Sequence, residues 1–289
     1  MKRILVLRGG ALGDGLVTFP ALQALRRRGP DAMIDLVGHV QVGALAVAAG
    51  LVNRVESQHG AVWGQLYGTN LAPEFRARLR DYELVVNFWP DPSAEIARHF
   101  PLRAGQEYRW APPLPGRGPA AAHFLAALET LELAEPELVY PLRSPHPAPG
   151  VIAIHPGSGS PAKNWSPARW RELSTWLQRE FQACLRIVRG EAEPAGLLAE
   201  FGEAWAHLPL PRLADQLAGC QLFIGHDSGI SHLAAACGCR GVLLFGPTDP
   251  AIWAPPTPRM KVLRDGPTLD AISVAAVQDA VRAALRDRT

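Results

Sequence analysis

The chain has 289 residues, of which 48% are hydrophobic and 19% charged, and its formal net charge is +2. This balance is typical of a folded globular protein, and the mild charge excludes a strongly basic nucleic-acid-binding domain. Because typical domains have roughly 150 residues, the length predicts two domains. No apolar run is long enough to span a bilayer or to form a signal-peptide core, so we expect a cytoplasmic protein.

Through the first half of the chain, short apolar runs alternate with helical patterns. The predicted strands and helices of this half are residues 3–7, 19–28, 33–38, 42–50, 83–89 and 120–133. Such an alternation predicts βαβ units and a parallel sheet.

Residues 140–150 contain four prolines and a glycine, which predicts a domain boundary. The alternation then restarts, with predicted elements at residues 151–157, 167–181, 184–190, 194–205, 220–227, 228–238 and 241–247 and an amphipathic helix from 273. We therefore predict two Rossmann-like, doubly wound α/β domains, 1–145 and 150–289. The last helix could pack back on the first domain.

Ligands of open parallel sheets bind outside the carboxyl ends of the strands, which directs attention to four turns. The first turn holds Gly9, Gly10, Gly13 and Gly15, whose spacing does not fit a dinucleotide fingerprint. Asp14 stands where the next helix begins and would repel a phosphate there. It is either a helix cap in a tight turn or a general base at the edge of a cleft.

The second turn follows the strand at 151–157. It offers backbone amides and hydroxyls from three small residues, Ser158, Gly159 and Ser160. Lys163 follows them, one of only three lysines among 29 basic residues, and a loop of this kind with a lysine suits an anion. A helix start capped by Ser166 explains the residues that follow but not the loop itself.

The third turn carries Glu191 and Glu193 just beyond a strand. An acid at this place can accept hydrogen bonds from ribose hydroxyls. A favourable interaction with a helix dipole explains it equally well, and both interpretations remain open.

The fourth turn contains Asp227 at a strand end, Ser228 and Gly229 at a helix start, and His232 one turn later. Free amides at a helix N-terminus bind a diphosphate well, and glycine allows close approach. A simple helix cap would require only one of these polar residues. We therefore predict a nucleotide-diphosphate site here.

Three segments of the chain resemble glycosyltransferase family nine, the lipopolysaccharide heptosyltransferases. They are "GALGDGLVTFPAL", "HPGSGSPAKNW" and "DSGISHLAAACGCRGVLLFGPTDPAIWAP", whereas residues 55–120 match no pattern of the family. The resemblance implies the GT-B architecture, with two domains facing each other across a cleft. It also implies inverting transfer of heptose or a related sugar from a nucleotide-sugar, with an ADP-sugar as the expected donor.

The resemblance also assigns roles to individual positions. Asp14 resembles the family's catalytic base, and Lys163 with Ser158 or Ser160 resembles the contacts to the donor phosphates. Glu193, or less well Glu191, resembles the residue near the nucleoside. The donor-binding signature is matched by Asp227, Ser228, Gly229 and His232, with serine where threonine is expected at 228.

We expect no metal or other cofactor, because the chain has no Asp-x-Asp pair and Lys163 with a helix N-terminus could neutralise the leaving diphosphate. The expected partners are a nucleotide-sugar donor and a glycan or glycolipid acceptor. The arginines at 26–28 and at 76, 78 and 80 are solvated helix faces or could face an anionic acceptor or the inner membrane surface. A nucleotide-sugar epimerase or hydrolase, and a non-catalytic binding protein, are the alternative functions.

Overall fold

The computed structural model of the chain describes residues 2–131, 137–190 and 196–286. The chain divides into two compact units, residues 1–140 and 141–289, so the division falls at the start of the proline-rich segment. Each unit has one sheet whose paired strands are all parallel. The predicted fold class, two α/β domains with parallel sheets, is confirmed.

The first unit contains a five-stranded sheet in the order β3-β2-β1-β4-β5. Its strands are β1 (Arg3–Arg8), β2 (Met33–Gly38), β3 (Arg54–Ser57), β4 (Leu84–Asn87) and β5 (Glu107–Trp110). Its helices are α1 (Leu12–Leu16), α2 (Phe19–Arg28), α3 (Val40–Ala48), α4 (Ala61–Gly64), α5 (Pro73–Arg80), α6 (Glu95–His99) and α7 (Ala120–Ala126). Short 3₁₀ turns cover Gln65–Tyr67 and Glu129–Leu131.

The second unit contains a six-stranded sheet in the order β11-β10-β9-β6-β7-β8. Its strands are β6 (Ala148–His155), β7 (Cys184–Arg189), β8 (Gly202–Ala206), β9 (Cys220–His226), β10 (Gly241–Phe245) and β11 (Met260–Arg264). Its helices are α8 (Pro167–Phe181), α9 (Leu210–Ala218), α10 (Gly229–Ala236), α11 (Pro250–Trp253) and α12 (Val274–Arg286). Short 3₁₀ turns cover Pro161–Lys163 and Leu269–Ala271.

The inner strands are mostly apolar and buried because helices cover both faces of a parallel sheet. All five residues of β10 are buried, as are all four of β4. The apolar face of α12 completes the core of the second unit with Val274, Val277 and Val281. Strand packing of this kind fixes where each strand ends, and therefore where the following turn begins.

The strand orders place one switch point in each sheet, where the connections change direction. It lies between β1 and β4 in the first unit and between β6 and β9 in the second. In doubly wound sheets, ligands bind outside the carboxyl ends of the strands at such points. The turns that hold Asp14, Lys163 and Asp227 follow three of these four strands.

Two predicted helices differ from the structure. The helix expected at 194–205 is wrong, because residues 196–201 form turns and 202–206 form strand β8. The helix expected at 120–133 is shorter, since α7 ends at Ala126 and a 3₁₀ turn follows at 129–131. Strands β3, β5, β8 and β11 were not predicted, because they are short and partly polar. Helix α9 was not predicted either.

Two arginines of the clusters at 26–28 and 76–80 bind other groups of the first unit. Arg26 donates to the carbonyl oxygens of Pro30 and Ala32 at 2.9 and 2.7 Å. Arg78 pairs with Glu56. Neither residue is therefore a simple solvated charge.

The four cysteines are free thiols. Cys220, Cys237 and Cys239 are buried, whereas Cys184 is exposed. Burial raises the pKa of Cys220 and of Cys237 to about 12, so both thiols stay protonated at neutral pH. None of the helices in the described parts of the chain is long and apolar enough to cross a membrane.

Candidate active site

Asp14 lies in the first turn of α1, directly after the central strand of the first sheet. Its Oδ2 accepts a hydrogen bond from the amide of Ala11 at 2.9 Å, which caps the helix. Gly10 has φ of 102°, and a Cβ there would lie 2.5 Å from Oδ2 of Asp14. A glycine is therefore required for the carboxylate to sit against this turn.

Arg8, the last residue of β1, supports Asp14 from inside the protein. Its Nε donates to the carbonyl oxygen of Asp14 at 2.8 Å, and its Nη2 lies 3.5 Å from Oδ1. A further bond joins Nη1 to the carbonyl of Pro113, and the guanidinium lies over the ring of Phe124. Burial lowers the pKa of Arg8 to about 10, against the opposing effect of Asp14, so it remains cationic at neutral pH.

The Asp14 side chain is 33% exposed although its guanidinium partner is almost fully buried. One carboxylate oxygen caps the helix, and the other makes a long ion pair with Arg8. The two interpretations of Asp14 are therefore compatible: the cap orients a carboxylate that can still accept a proton at the surface of the turn.

In the second unit, the loop between β6 and α8 is tied together by its own side chains. The Ser158 hydroxyl lies 2.7 Å from Oδ1 of Asn164 and accepts from the amide of Ser160 at 3.3 Å. Ser158 is buried, so its observed role is to shape the loop. A Cβ at Gly159 would meet no atom within 4 Å, which leaves open space beside that residue.

Lys163 and Asp227 form an ion pair that joins this loop to the turn after β9. The Lys163 Nζ lies 2.6 Å from Oδ2 of Asp227, and the hydroxyl of Thr248 donates to the same oxygen at 2.7 Å. The Asp227 side chain is 10% exposed and that of Lys163 is 30% exposed. The buried carboxylate thus holds the ammonium group of a partly exposed lysine, the kind of group that suits an anionic ligand.

Helix α10 begins directly after this pair. Ser228 is its N-cap, and its hydroxyl accepts from the amide of Ser231 at 3.4 Å. The amides of Gly229 and Ile230, the first two residues of the helix, have no intrahelical acceptor by the geometry of any α-helix. His232 is half-buried one turn further along the same helix. The helix start therefore provides amide donors and the positive end of a dipole beside Lys163.

His226, the last residue of β9, connects both ends of the loop after β6 and was not predicted as a functional residue. Its Nε2 accepts from the amide of Trp165 at 3.0 Å, and its Nδ1 lies 3.4 Å from the carbonyl of Gly157. The first bond places the ring proton on Nδ1. Burial, with a contribution from His155, lowers the pKa of His226 to about 3, so the ring is neutral.

Nothing in the sequence pattern marks this histidine, because it stands at the end of a buried apolar run. Glu191 and Glu193 lie outside the described residues. Within the described ranges, no group of three or more His, Cys, Asp or Glu side chains could hold a metal ion. The structure thus brings together Lys163, Asp227, Ser228 and Gly229 in one unit and presents Asp14 in the other.

Comparison with known proteins gives consistent matches. Residues 130–271 match the profile of glycosyltransferase family 9 (heptosyltransferase). Lipopolysaccharide heptosyltransferase 1 of Pseudomonas aeruginosa is 30% identical over 285 residues, which cover 86% of this chain and 79% of that protein.

Solved structures share the fold. A family 9 glycosyl transferase from Veillonella parvula has a TM-score of 0.78 at 20% identity, covering 98% of this chain and 97% of its own. The E. coli heptosyltransferase WaaC with ADP has a TM-score of 0.75 at 21% identity, covering 98% and 99%. The iron-containing dodecameric glycosyltransferase TibC of enterotoxigenic E. coli has a TM-score of 0.64 at 16% identity, covering 100% and 77%.

The sequence alone left an epimerase, a hydrolase and a binding protein as alternatives, and the identity over most of the chain decides among them. The chain belongs to glycosyltransferase family 9 and is a heptosyltransferase-like glycosyltransferase of lipopolysaccharide biosynthesis.

Proposed function

We propose that this enzyme transfers heptose or a related sugar from an ADP-sugar to a hydroxyl of a glycan or glycolipid acceptor, with inversion at the anomeric carbon. The observation that carries the proposal is the partly exposed Lys163 side chain, held by buried Asp227 beside the start of α10. The choice of ADP is supported by two solved heptosyltransferase structures of the same fold, one with ADP and one with ADP-2-deoxy-2-fluoro heptose.

In this proposal, the second unit binds the donor. Lys163 and the amides of Gly229 and Ile230 receive the diphosphate, and the open side of Gly159 leaves room for it. Asp227 acts mainly by holding Lys163, because its own carboxylate would repel a phosphate. Ser160 and His232 remain proposed donor contacts, and Glu193 remains the proposed contact to the nucleoside.

The first unit supplies the base. Asp14 accepts the proton of the acceptor hydroxyl while that oxygen attacks the anomeric carbon from the face opposite the diphosphate. The bond from the anomeric carbon to the diphosphate breaks as the new glycosidic bond forms. The positive charge of Lys163 and the helix start stabilise the leaving diphosphate, so we propose that transfer requires no metal.

The exposed Arg76 and Arg80 of α5 suit a peripheral contact with the anionic inner surface of the membrane, where a glycolipid acceptor would be presented. This contact is part of the proposal for the acceptor side.

The test is thermal unfolding of the chain with a panel of nucleoside diphosphates, with and without a chelator. A ligand at about 100 times its Kd adds about 2.7 kcal/mol of stability. We expect selective stabilisation by ADP that the chelator does not change and that Lys163→Ala removes. Equal stabilisation of the Lys163→Ala variant would refute the proposed donor site, and loss of the effect with chelator would refute metal independence, a necessary check because TibC contains iron.

A further inference from the structure

Three aromatic residues are linked at the carboxyl ends of β4 and β5 in the first unit. The rings of Tyr67 and Trp89 are parallel within 3°, with centroids 6.3 Å apart. The Nε1 of Trp110 donates to the carbonyl of Trp89 at 3.1 Å, and the Tyr67 hydroxyl donates to the carbonyl of Pro90 at 3.4 Å. We call Tyr67, Trp89 and Trp110 the aromatic platform.

Two members of the platform are exposed to an extent that core packing does not explain. Tyr67 is 46% exposed and Trp110 is 40% exposed, whereas Trp89 is 5% exposed. The polar atoms of Tyr67 and Trp110 are anchored to the backbone, so their rings are held in place rather than free to fold inward. Fixed, exposed aromatic rings are typical of binding sites, because little conformational entropy is lost when a ligand stacks on them.

The platform adjoins the turn that carries Asp14. A Cβ at Gly9 would lie 3.4 Å from Nε1 of Trp89 and 3.0 Å from Oε1 of Gln58, so both side chains pack against that residue. The next residue, Gly10, donates its amide to Oε1 of Gln58 and contacts the Asp14 carboxylate. Because β1 and β4 flank the switch point of the first sheet, the platform and Asp14 lie at the same ligand-binding edge.

Trp89 supplies a second, independent indication of a ligand. Its Nε1 is buried and has no hydrogen-bond partner among the described residues. An unsatisfied buried N–H is costly, and such donors in native proteins usually indicate an unseen partner. This nitrogen lies at the Gly9 turn, against which the carboxamide of Gln58 also packs.

The chemistry of this surface fits a sugar ring. One face of a pyranose is formed by C–H bonds, which pack favourably on the electron-rich face of an aromatic ring. Hydroxyl groups at the rim of the sugar can bond to an amide or imidazole, and Gln58 and the exposed His59 provide these groups. We propose that the aromatic platform binds a sugar ring of the acceptor glycan and so presents its attacking hydroxyl to Asp14. This inference rests on the proposed function.

The experiment uses the full chain with ADP and, as the probe, lipid-free core oligosaccharides released from lipopolysaccharide by mild acid. Binding is measured by saturation-transfer NMR and by titration of intrinsic tryptophan fluorescence. We expect Trp110→Ala and Tyr67→Ala each to weaken oligosaccharide binding on the order of fivefold to tenfold. Trp110→Phe and Tyr67→Phe, which keep a ring, should retain most of the binding.

The matched control is Leu114→Ala, which removes a side chain that is 67% exposed in the turn after β5. It should leave oligosaccharide binding unchanged, because it removes apolar area but no ring. An equal loss in Leu114→Ala would overturn the proposal in favour of a general apolar surface. Undiminished binding in both alanine variants of the platform, or no oligosaccharide binding by the unmodified chain, would also overturn it.

Donor binding and acceptor binding are measured separately in each sample. Stabilisation by ADP should be the same in the platform variants as in the unmodified chain, which also shows that they fold. If ADP fails to stabilise the unmodified chain, the proposed function is wrong. Loss or retention of oligosaccharide binding in the platform variants tests only the proposed role of the aromatic platform.

Discussion

Each unit places an aspartate and a cation at the switch point of its sheet, but the burial of the two partners is reversed. In the first unit, the cation Arg8 is 4% exposed and Asp14 is 33% exposed. In the second unit, the carboxylate of Asp227 is 10% exposed and the cation Lys163 is 30% exposed. Similar ion pairs therefore present opposite charges, an anion in one unit and a cation in the other.

This reversal matches the two tasks of glycosyl transfer. An exposed carboxylate that is oriented by a buried guanidinium can accept a proton from a hydroxyl. An exposed ammonium that is oriented by a buried carboxylate can receive a diphosphate. In both pairs the buried partner fixes the position of the exposed one, so the comparison predicts different losses when each exposed partner is removed.

The largest effect is expected for Asp14→Asn. The amide keeps the size of the side chain and can still accept from the Ala11 amide, but it cannot take up a proton. Turnover of donor and acceptor should fall roughly 10²–10⁴-fold, while the affinity for ADP should stay unchanged. The measurement is steady-state transfer alongside ADP titration.

Asp31→Asn, at an exposed position of the same unit, is the matched control and should keep full turnover. Retained turnover in Asp14→Asn would show that the exposed carboxylate is only a helix cap. Weakened ADP binding in that variant would instead mean that Asp14 contributes to the donor site.

A smaller effect is expected for the pair in the second unit. Removing the Lys163 ammonium should weaken ADP binding roughly 10–100-fold, because charge-assisted bonds to phosphate contribute on the order of 1.5–3 kcal/mol. Asp227→Ala should weaken it less. If Asp227 acts through Lys163, the double variant should bind ADP no more weakly than Lys163→Ala alone.

The measurement is a double-variant cycle of ADP affinities by calorimetry, with Asp249→Asn in the next turn as the control. Asp249 is exposed and caps α11, so its substitution should leave ADP affinity unchanged. Additive losses for Lys163→Ala and Asp227→Ala would show that Asp227 contacts the donor independently, which contradicts the positioning role.

Much of the fold could be predicted because its central strands and longest helix have strong local signals. The run of α8 from Pro167 to Phe181 follows from its Ser166 cap and the proline at its first position, and the cap accepts from Arg169 as expected. Strand β8 could not be predicted, because its short sequence with one buried residue, Trp205, continues an apolar spacing that looks helical.

The residues of the candidate site were predicted one by one, and their pairing was not predicted. The sequence places Lys163 and Asp227 in two turns, and only the sheet order brings them within 2.6 Å across 64 residues. The same applies to Arg8, a charged residue at the end of an apolar strand whose burial beside Asp14 no local pattern reveals. The platform residues lie in the segment that matched no family pattern, so their meeting depends on tertiary structure alone.

His226 gives the smallest expected effect and concerns the loop that carries Lys163. The folded state keeps this histidine neutral down to about pH 3, whereas the unfolded state takes up a proton near pH 6.5. Its contribution to stability is therefore complete above pH 6.5 and is lost progressively as the pH falls towards 3. Between pH 7 and 5.5 the loss should be about 1 kcal/mol.

The test is the free energy of unfolding in urea at pH 7 and at pH 5.5 for the unmodified chain and for His226→Gln. Glutamine can accept from the Trp165 amide and donate to the Gly157 carbonyl, but it does not titrate. The variant should therefore lose about 1 kcal/mol less on acidification than the unmodified chain. His207→Gln, at an exposed position, should leave the pH dependence unchanged, and the same dependence in His226→Gln would mean that other groups cause the acid sensitivity.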